Sequence, residues 1–330
     1  MSCRTFHTGA ARAAVAGAVL LIACVALPAR AQTGPDLLLK TWDKDERVEA
    51  SVNGMFLENG HTKQEDADFR LSIYETSGRF RLIPGELASP RIGYEFSYFE
   101  LHSNTRRLPD QLVNQSLAVA TPVGVYDKWL FGLSLGAGYA GEAPFGDGDA
   151  WYGRATFVAF RELDKTSALA FVLDYDANRT ILPDVPLPGF AYLKQLDPNV
   201  KVTVGLPVSS VEWKPIEHLE LNLEYLLPYD IEARVGYEFA PGLTAYGLLG
   251  QRRDAWHWDA LKNNNDRLFF QQQRAELGLT WKPCPNAGLT AAVGYAWGGE
   301  FTKGFDTRDD DLVTKISDGP YARLELSVHF

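Results

Sequence analysis

Cysteine, methionine, basic charge and long apolar runs are what this chain has least of. Three of its 330 residues are Cys and two are Met. After residue 31 there is no stretch of eighteen consecutive apolar residues, which excludes a membrane-spanning helix in the rest of the chain. Lys and Arg number 32 against 42 Asp and Glu, a net charge of −10, so nucleic acid is a poor partner. No phosphate-cradling glycine loop or dinucleotide fingerprint is present, and no cofactor is expected.

The amino terminus is a different matter. Arg4 and Arg12 precede an apolar run of fifteen residues, Ala13 to Leu27. That run is too short to span a bilayer and has the length and flanks of a secretory signal. Ala29 and Ala31 put small residues where a signal peptidase needs them, which predicts cleavage before Gln32 and a signal peptide over 1–31. The box ending at Cys24 is the competing site, where lipidation would occur instead. Cleavage leaves 29 basic and 42 acidic residues, a net charge of −13. It also leaves Cys284 as the one thiol, so no intramolecular disulfide and no cysteine-built metal site can form.

What the chain does have is aromatics, with 8 Trp, 14 Tyr and 18 Phe, at a slightly negative mean hydropathy. A barrel with apolar residues outside and polar ones inside has that composition. The pattern agrees. Residues 32–47 show no period and read as a short periplasmic lead-in tucked into a barrel mouth. From 48 onward, alternating runs are separated by turn residues. In 217–226 Leu219, Leu221, Leu223 and Tyr225 oppose Glu220, Asn222 and Glu224. In 230–239 Ile231, Ala233, Val235, Tyr237 and Phe239 oppose Glu232, Arg234 and Glu238. Similar runs occupy 128–140, 269–282, 289–297 and 320–330, with weaker ones at 48–57, 68–77, 91–101, 112–121, 150–161, 166–176, 200–213 and 243–251. Each is about the length of a tilted transmembrane strand. The expected fold is all-β, a transmembrane antiparallel up-and-down β-barrel over 48–330 with about 14 strands, or 12 if the first two are miscounted.

Connection lengths support an even count with both termini on one side. Short turns at 283–287, 240–242, 214–216, 162–165 and 122–127 alternate with longer loops at 298–319, 252–268, 177–199, 141–149 and 102–111. The short loop at 227–229 and the long turn at 78–90 fit less well. Aromatics sort to strand ends, with Trp129, Trp213, Phe239 and Trp281 at one side and Tyr139, Tyr175, Tyr225, Tyr295 and Trp297 at the other, as at two bilayer interfaces.

The last strand carries Leu324, Leu326, Val328 and Phe330 on one face and Arg323, Glu325, Ser327 and His329 on the other. It resembles the carboxy-terminal strand of bacterial outer-membrane β-barrels, which implies that these four apolar residues are read by the barrel assembly machinery. The segments Leu187-Pro-Gly-Phe-Ala-Tyr192, Val204-Gly-Leu-Pro207, Val211-Glu-Trp-Lys-Pro215 and Leu227-Pro228 resemble a family of uncharacterised bacterial outer-membrane β-barrels, a domain of unknown function, over about 68–330. That resemblance implies the fold and an outer-membrane location, in contact with lipid and lipopolysaccharide, and carries no activity. A looser similarity is to barrels that pass hydrophobic solutes.

Candidate catalytic groups are sparse. The phospholipase-like pair needs His and Ser two apart on one strand face, and here His102 and Ser103 are adjacent. Arg252 to Asp259 holds Asp254, His257 and Asp259, a set an outer-rim protease would draw from facing strands. Asp147 with Asp149, and Asp306 with Asp309 to Asp311, lack the spacing of a calcium loop. No enzymatic activity is expected. The inward parity instead carries Glu95, Arg154, Asp174, Glu220, Glu224, Glu232, Arg234, Arg274, Glu276, Arg323 and Glu325. Charges at mid-membrane on the lipid face would cost about 2–4 kcal/mol each, so their parity marks the lumen. The expected function is a passive channel or transport barrel for small solutes, with a non-conducting structural or adhesive barrel as the alternative and a membrane-embedded hydrolase as a third reading.

Overall fold

The computed structural model describes residues 33–40 and 46–330, apart from 84, 85, 87, 88, 106, 227–229, 262 and 264. The expected signal segment with Ala29, Ala31 and Gln32, the Cys24 box and the Leu227-Pro228 motif lie outside the described residues. One sheet contains every strand. In chain order these are β1 (Val48–His61), β2 (Asp68–Arg81), β3 (Arg91–Ser103), β4 (Gln111–Tyr126), β5 (Trp129–Gly141), β6 (Trp151–Asp164), β7 (Ser167–Asp176) and β8 (Leu187–Asp197). There follow β9 (Val200–Leu206), β10 (Val208–Ile216), β11 (Leu219–Leu226), β12 (Asp230–Ala240), β13 (Leu243–His257), β14 (Arg267–Cys284), β15 (Ala287–Gly304), β16 (Asp311–Lys315) and β17 (Gly319–His329). From β1 to β15 each strand pairs antiparallel with its sequence neighbours, β15 pairs onward with both β16 and β17, and β17 pairs with β1 from Glu49↔His329 to Leu57↔Tyr321, which closes the ring. Closure leaves no sheet edge, which a bilayer would not tolerate.

The ring has sixteen lanes rather than fourteen. Short β16 shares a lane with β17, since β15 pairs with β16 through Glu300–Lys303 and with β17 through Ala287–Ala296. The two added strands come from one region. Residues 187–197, expected in a loop, form β8, with Pro188 near its start and paired across to Leu173. The expected strand 200–213 is two strands folded back at Pro207, with Trp213 paired to Val200 and Ser210 to Thr203. Proline donates no ladder hydrogen bond, and the Ser209 hydroxyl bridges Gly205, accepting from its N–H at 3.1 Å and donating to its carbonyl at 3.1 Å. Adding two strands preserves the order of rims, so the alternation of turns and loops holds. Several strands also run past their expected ends, shrinking the expected loops 252–268 and 298–319 to 258–266, 305–310 and 316–318.

Outward positions are apolar in almost every lane, as with Val52, Leu117, Leu135, Phe157, Val204, Val235, Leu277 at 70% exposure and Val293 at 65%. A belt of this extent far exceeds the few hundred square ångströms a water-soluble monomer exposes. Tyr139, expected among the interfacial aromatics, is instead buried at the loop rim against Phe145 and Trp151, each with ring centroids 5.6 Å away.

Candidate functional site: a filled lumen

The described part of the lead-in, 33–40, occupies the barrel interior at the end where β1 begins and β17 ends. Residues 36–39 form a single helical turn, α1 (Asp36–Leu39), whose Leu37 is fully buried. Leu37 packs on the inward Ala118 and Ala120, while Leu38 and Leu39 meet Val158, Phe160, Ala168 and Ala170. Gly132 makes room, because a Cβ there would stand 2.8 Å from Leu38. Polar contacts fix the rest. Thr33 N–H donates to Glu95 (3.0 Å), its hydroxyl meets Ser116 (2.8 Å) and Arg154 Nη1, and Arg91 and Arg79 donate to the carbonyls of Leu37 (3.1 Å) and Lys40 (2.9 Å). Lys40 pairs with Glu49 at 3.0 Å, and Glu49 with Arg79 at 2.6 Å. Burial pushes the Asp36 carboxyl up to about 7; Lys40, Arg79 and Arg154 pull against that rise and Glu95 adds to it.

A second network lies in the lumen across β12, β13, β14 and β17. Glu276 is its hub, accepting from Tyr246 (2.6 Å), Tyr321 (3.0 Å) and, through two nitrogens, Arg323 (2.9 and 2.8 Å). Arg323 also bonds Glu325 at 2.5 Å and the Tyr246 hydroxyl at 2.8 Å. Both tyrosine rings lie flat on a neighbouring strand where glycine stands, Tyr246 over Gly278 and Tyr321 over Gly294, and a Cβ at either glycine would collide with the ring.

The loop-rim half of the lumen is closely packed with apolar side chains. Met55, Leu57, Phe69, Leu71, Ile73, Phe99, Leu101, Trp256, Phe270 and Phe301 form one buried cluster of inward side chains. Phe99 meets Trp256 edge-on at 4.7 Å and Phe270 at 5.8 Å. Arg252 lies 4.6 Å over Phe99 and bonds Glu75 across the lumen at 2.8 Å. Strand β13 comes within 8 Å of β4 and β5, seven and eight lanes away around the ring, so opposite walls meet here. This differs from the expected polar lumen. The inward face is polar over much of its area but apolar and packed along β1–β4 and β13–β15 at this rim.

Each expected lumen residue has a place in this picture. Arg154 joins the plug contacts and pairs with Asp176 at 3.1 Å and Glu95 at 3.3 Å. Glu220, Glu224, Glu232 and Arg234 alternate with exposed Leu223, Ile231 and Val235, and Arg234 stacks 4.1 Å over Tyr246. Arg323 and Glu276 meet over the small residues of β15, whereas Arg274 turns the other way, to Glu232 on β12 at 3.7 Å. Asp174 holds Arg179 at 2.7 Å. His102 and Ser103 end β3 on successive positions, and His102 faces Glu100 at 3.8 Å. The Asp306 carboxylate is engaged by Arg308 at 2.6 Å and by Leu182 N–H at 3.2 Å, and Asp310 accepts from Thr302 at 2.5 Å, so these acids serve the loops. Sequence reasoning did not find Asp36, Leu37, Tyr246 or Tyr321; a tyrosine opposite a glycine is a signal only once the register is known.

A closed antiparallel barrel with an apolar belt outside and charge within is a transmembrane β-barrel of the bacterial outer-membrane kind. No protein-family model matches the chain, and no curated protein matches it. Solved structures share its layout at low identity. They include the Pseudomonas putida toluene transporter TodX (9% identity, TM-score 0.40, covering 93% of this chain and 95% of that one) and the Acinetobacter baumannii outer-membrane protein Omp33 (8%, TM-score 0.37, 87% and 100%). An outer-membrane channel of Pseudomonas putida F1 is similar at 11% (TM-score 0.35, 86% and 96%).

Proposed function

We propose that this protein is a transport barrel for small solutes that rests closed, with two barriers in series. The observation that supports this is how the lumen is filled. Barrels of sixteen strands are wide enough to leave an aqueous channel. Here the terminal end is occupied by a separate segment, 33–40, which is not part of the wall and is joined to β1 by only a few residues. The far end is occupied by an aromatic constriction, a kind of barrier that gates by excluding water. A purely structural barrel has no need of a separate segment, outside the wall, ringed by arginines.

Planar-bilayer recording tests the reading. The intact mature chain is expected to be silent or to open rarely. A variant lacking 33–40 and carrying Trp256→Ala should show stepwise conductance, provided heat-dependent gel mobility shows it folded. Silence of that folded variant would favour the non-conducting structural barrel.

The proposed assembly partner is the barrel assembly machinery, with Phe330, Val328, Leu326 and Leu324 as the segment read. Leu324, Leu326 and Phe330 are exposed on the outer surface, and the Phe330 backbone is paired with Val48 through bonds of 2.8 and 2.9 Å where the ring closes. Deleting Phe330 should therefore lower the amount of folded barrel in the outer membrane several-fold, read by immunoblot of heated and unheated membrane fractions. An unchanged yield would remove the terminal residue from the assembly signal.

A further inference from the structure

At the loop rim, two segments far apart in sequence bring three metal-ligating side chains together. Asp147 lies in the β5–β6 loop, His257 ends β13, and Asp259 follows it. Asp147 Oδ2 contacts His257 Nδ1, Asp259 Oδ1 lies 3.8 Å from the same nitrogen, and the three ligand atoms fall within 4.8 Å of one another. We infer that Asp147, His257 and Asp259 form a binding site for a divalent cation of the zinc class, which clasps the β5–β6 loop to the end of β13.

The donor set selects the ion. One imidazole nitrogen and two carboxylate oxygens suit zinc, with water completing four-coordination, whereas calcium asks for six to eight oxygens. Bonds of about 2 Å to a shared ion separate its ligands by roughly 3–4 Å. Reaching that spacing takes a rotation of the exposed Asp259 side chain and a small outward shift of Asp147 Oδ2 from the His257 nitrogen it now contacts, which opens room for the ion between them.

The site is also held in place, which a chance surface pairing is not. The buried Tyr139 hydroxyl accepts from the N–H groups of Gly146 and Asp147, both at 3.2 Å, and donates to the Ala143 carbonyl at 2.5 Å. Asp149 N–H engages Asp147 Oδ1 at 2.9 Å, which leaves Oδ2 facing the imidazole. On the other side the fully buried Trp256, packed on Phe99, anchors the strand end that carries His257. Two carboxylates converge on one imidazole in a chain already rich in acid, and a cation offsets that charge.

Calorimetric titration of the intact barrel in detergent with Zn2+ alone tests this, with Ca2+ as the comparison. One Zn2+ should bind per barrel, more tightly than Ca2+. His257→Ala and Asp259→Asn should each weaken binding by on the order of tenfold or more, and Asp309→Asn should leave it unchanged. Asp259 is exposed, so its variant reports on the site even if the His257 variant folds poorly. Absence of Zn2+ binding, equal affinity for Ca2+, or full binding by the folded Asp259→Asn variant would each overturn the assignment.

Discussion

Glu276→Ala is expected to destabilise the folded barrel by about 3–5 kcal/mol, the usual loss when one partner of a buried ion pair is removed. The physical reason lies in what remains. Glu276 is only 3% exposed and accepts four hydrogen bonds, two of them from one guanidinium. Without it, Arg323 keeps Glu325 but loses a bidentate partner, and the Tyr246 and Tyr321 hydroxyls lose the carboxylate that accepts from them. Glu276→Gln retains an acceptor and should cost less. The double variant Glu276→Leu with Arg323→Met removes both charges together and should recover much of the loss, since well-packed apolar replacements of a buried pair are often neutral. Urea unfolding of the barrel from lipid vesicles, followed by tryptophan fluorescence, measures all three. A double variant as unstable as Glu276→Ala would show that the tyrosine contacts, rather than the uncompensated Arg323, dominate the effect.

How much of this is visible in the chain depends on whether one face or both faces of a strand are apolar. Strands β11, β12, β14 and β17 alternate cleanly because their inward positions are charged or small, so their parity and their lumen residues can be read directly. Strands β1, β2 and β3 give only weak signals. Tyr74, Val52 and Phe56 face the bilayer while Met55, Leu57, Leu71, Ile73 and Phe99 face a packed interior, and a strand buried on both faces loses its period of two. The strand count fails where proline interrupts the pattern. Pro188 near the start of β8 makes a strand resemble a loop, and the apolar parity of Val200 to Leu206 carries past Pro207 to Val208 before it switches to Val211 and Trp213, so the turn is not marked at the proline itself. Contacts across the lumen, such as Arg252 with Glu75 or Asp147 with His257, join residues 177 and 110 positions apart and leave no trace in local spacing. In the sequence Arg252, Asp147 and His257 read as parts of charged loops and Glu75 as part of a strand, and only the pinched cross-section brings them together.

The same interior makes docking of the 33–40 segment depend on pH, with a sign that follows from Asp36. Desolvation raises its carboxyl from the ordinary value of 3.8 to about 7 in the docked state. A raised acid favours the state that holds the proton, so docking is fully supported below pH 3.8, weakens as pH rises through about 7, and then levels off. Every pH unit between those two values is worth a factor of ten, so the docked population should fall relative to the undocked one by up to roughly a thousandfold over that window. Lys40, Arg79 and Arg154 limit the rise but do not cancel it. The measurement uses a Cys284→Ser background, since Cys284 is exposed, with Leu39→Cys as a reporter on the docked turn. Thiol labelling at this position should accelerate between about pH 4 and 7 by much more than in the same protein carrying Asp36→Asn, whose neutral amide removes the charge and leaves only the intrinsic ionisation of the thiol. Parallel pH profiles for the two proteins would mean that the segment stays seated with Asp36 ionised, and that Lys40 and the surrounding arginines compensate its burial in full.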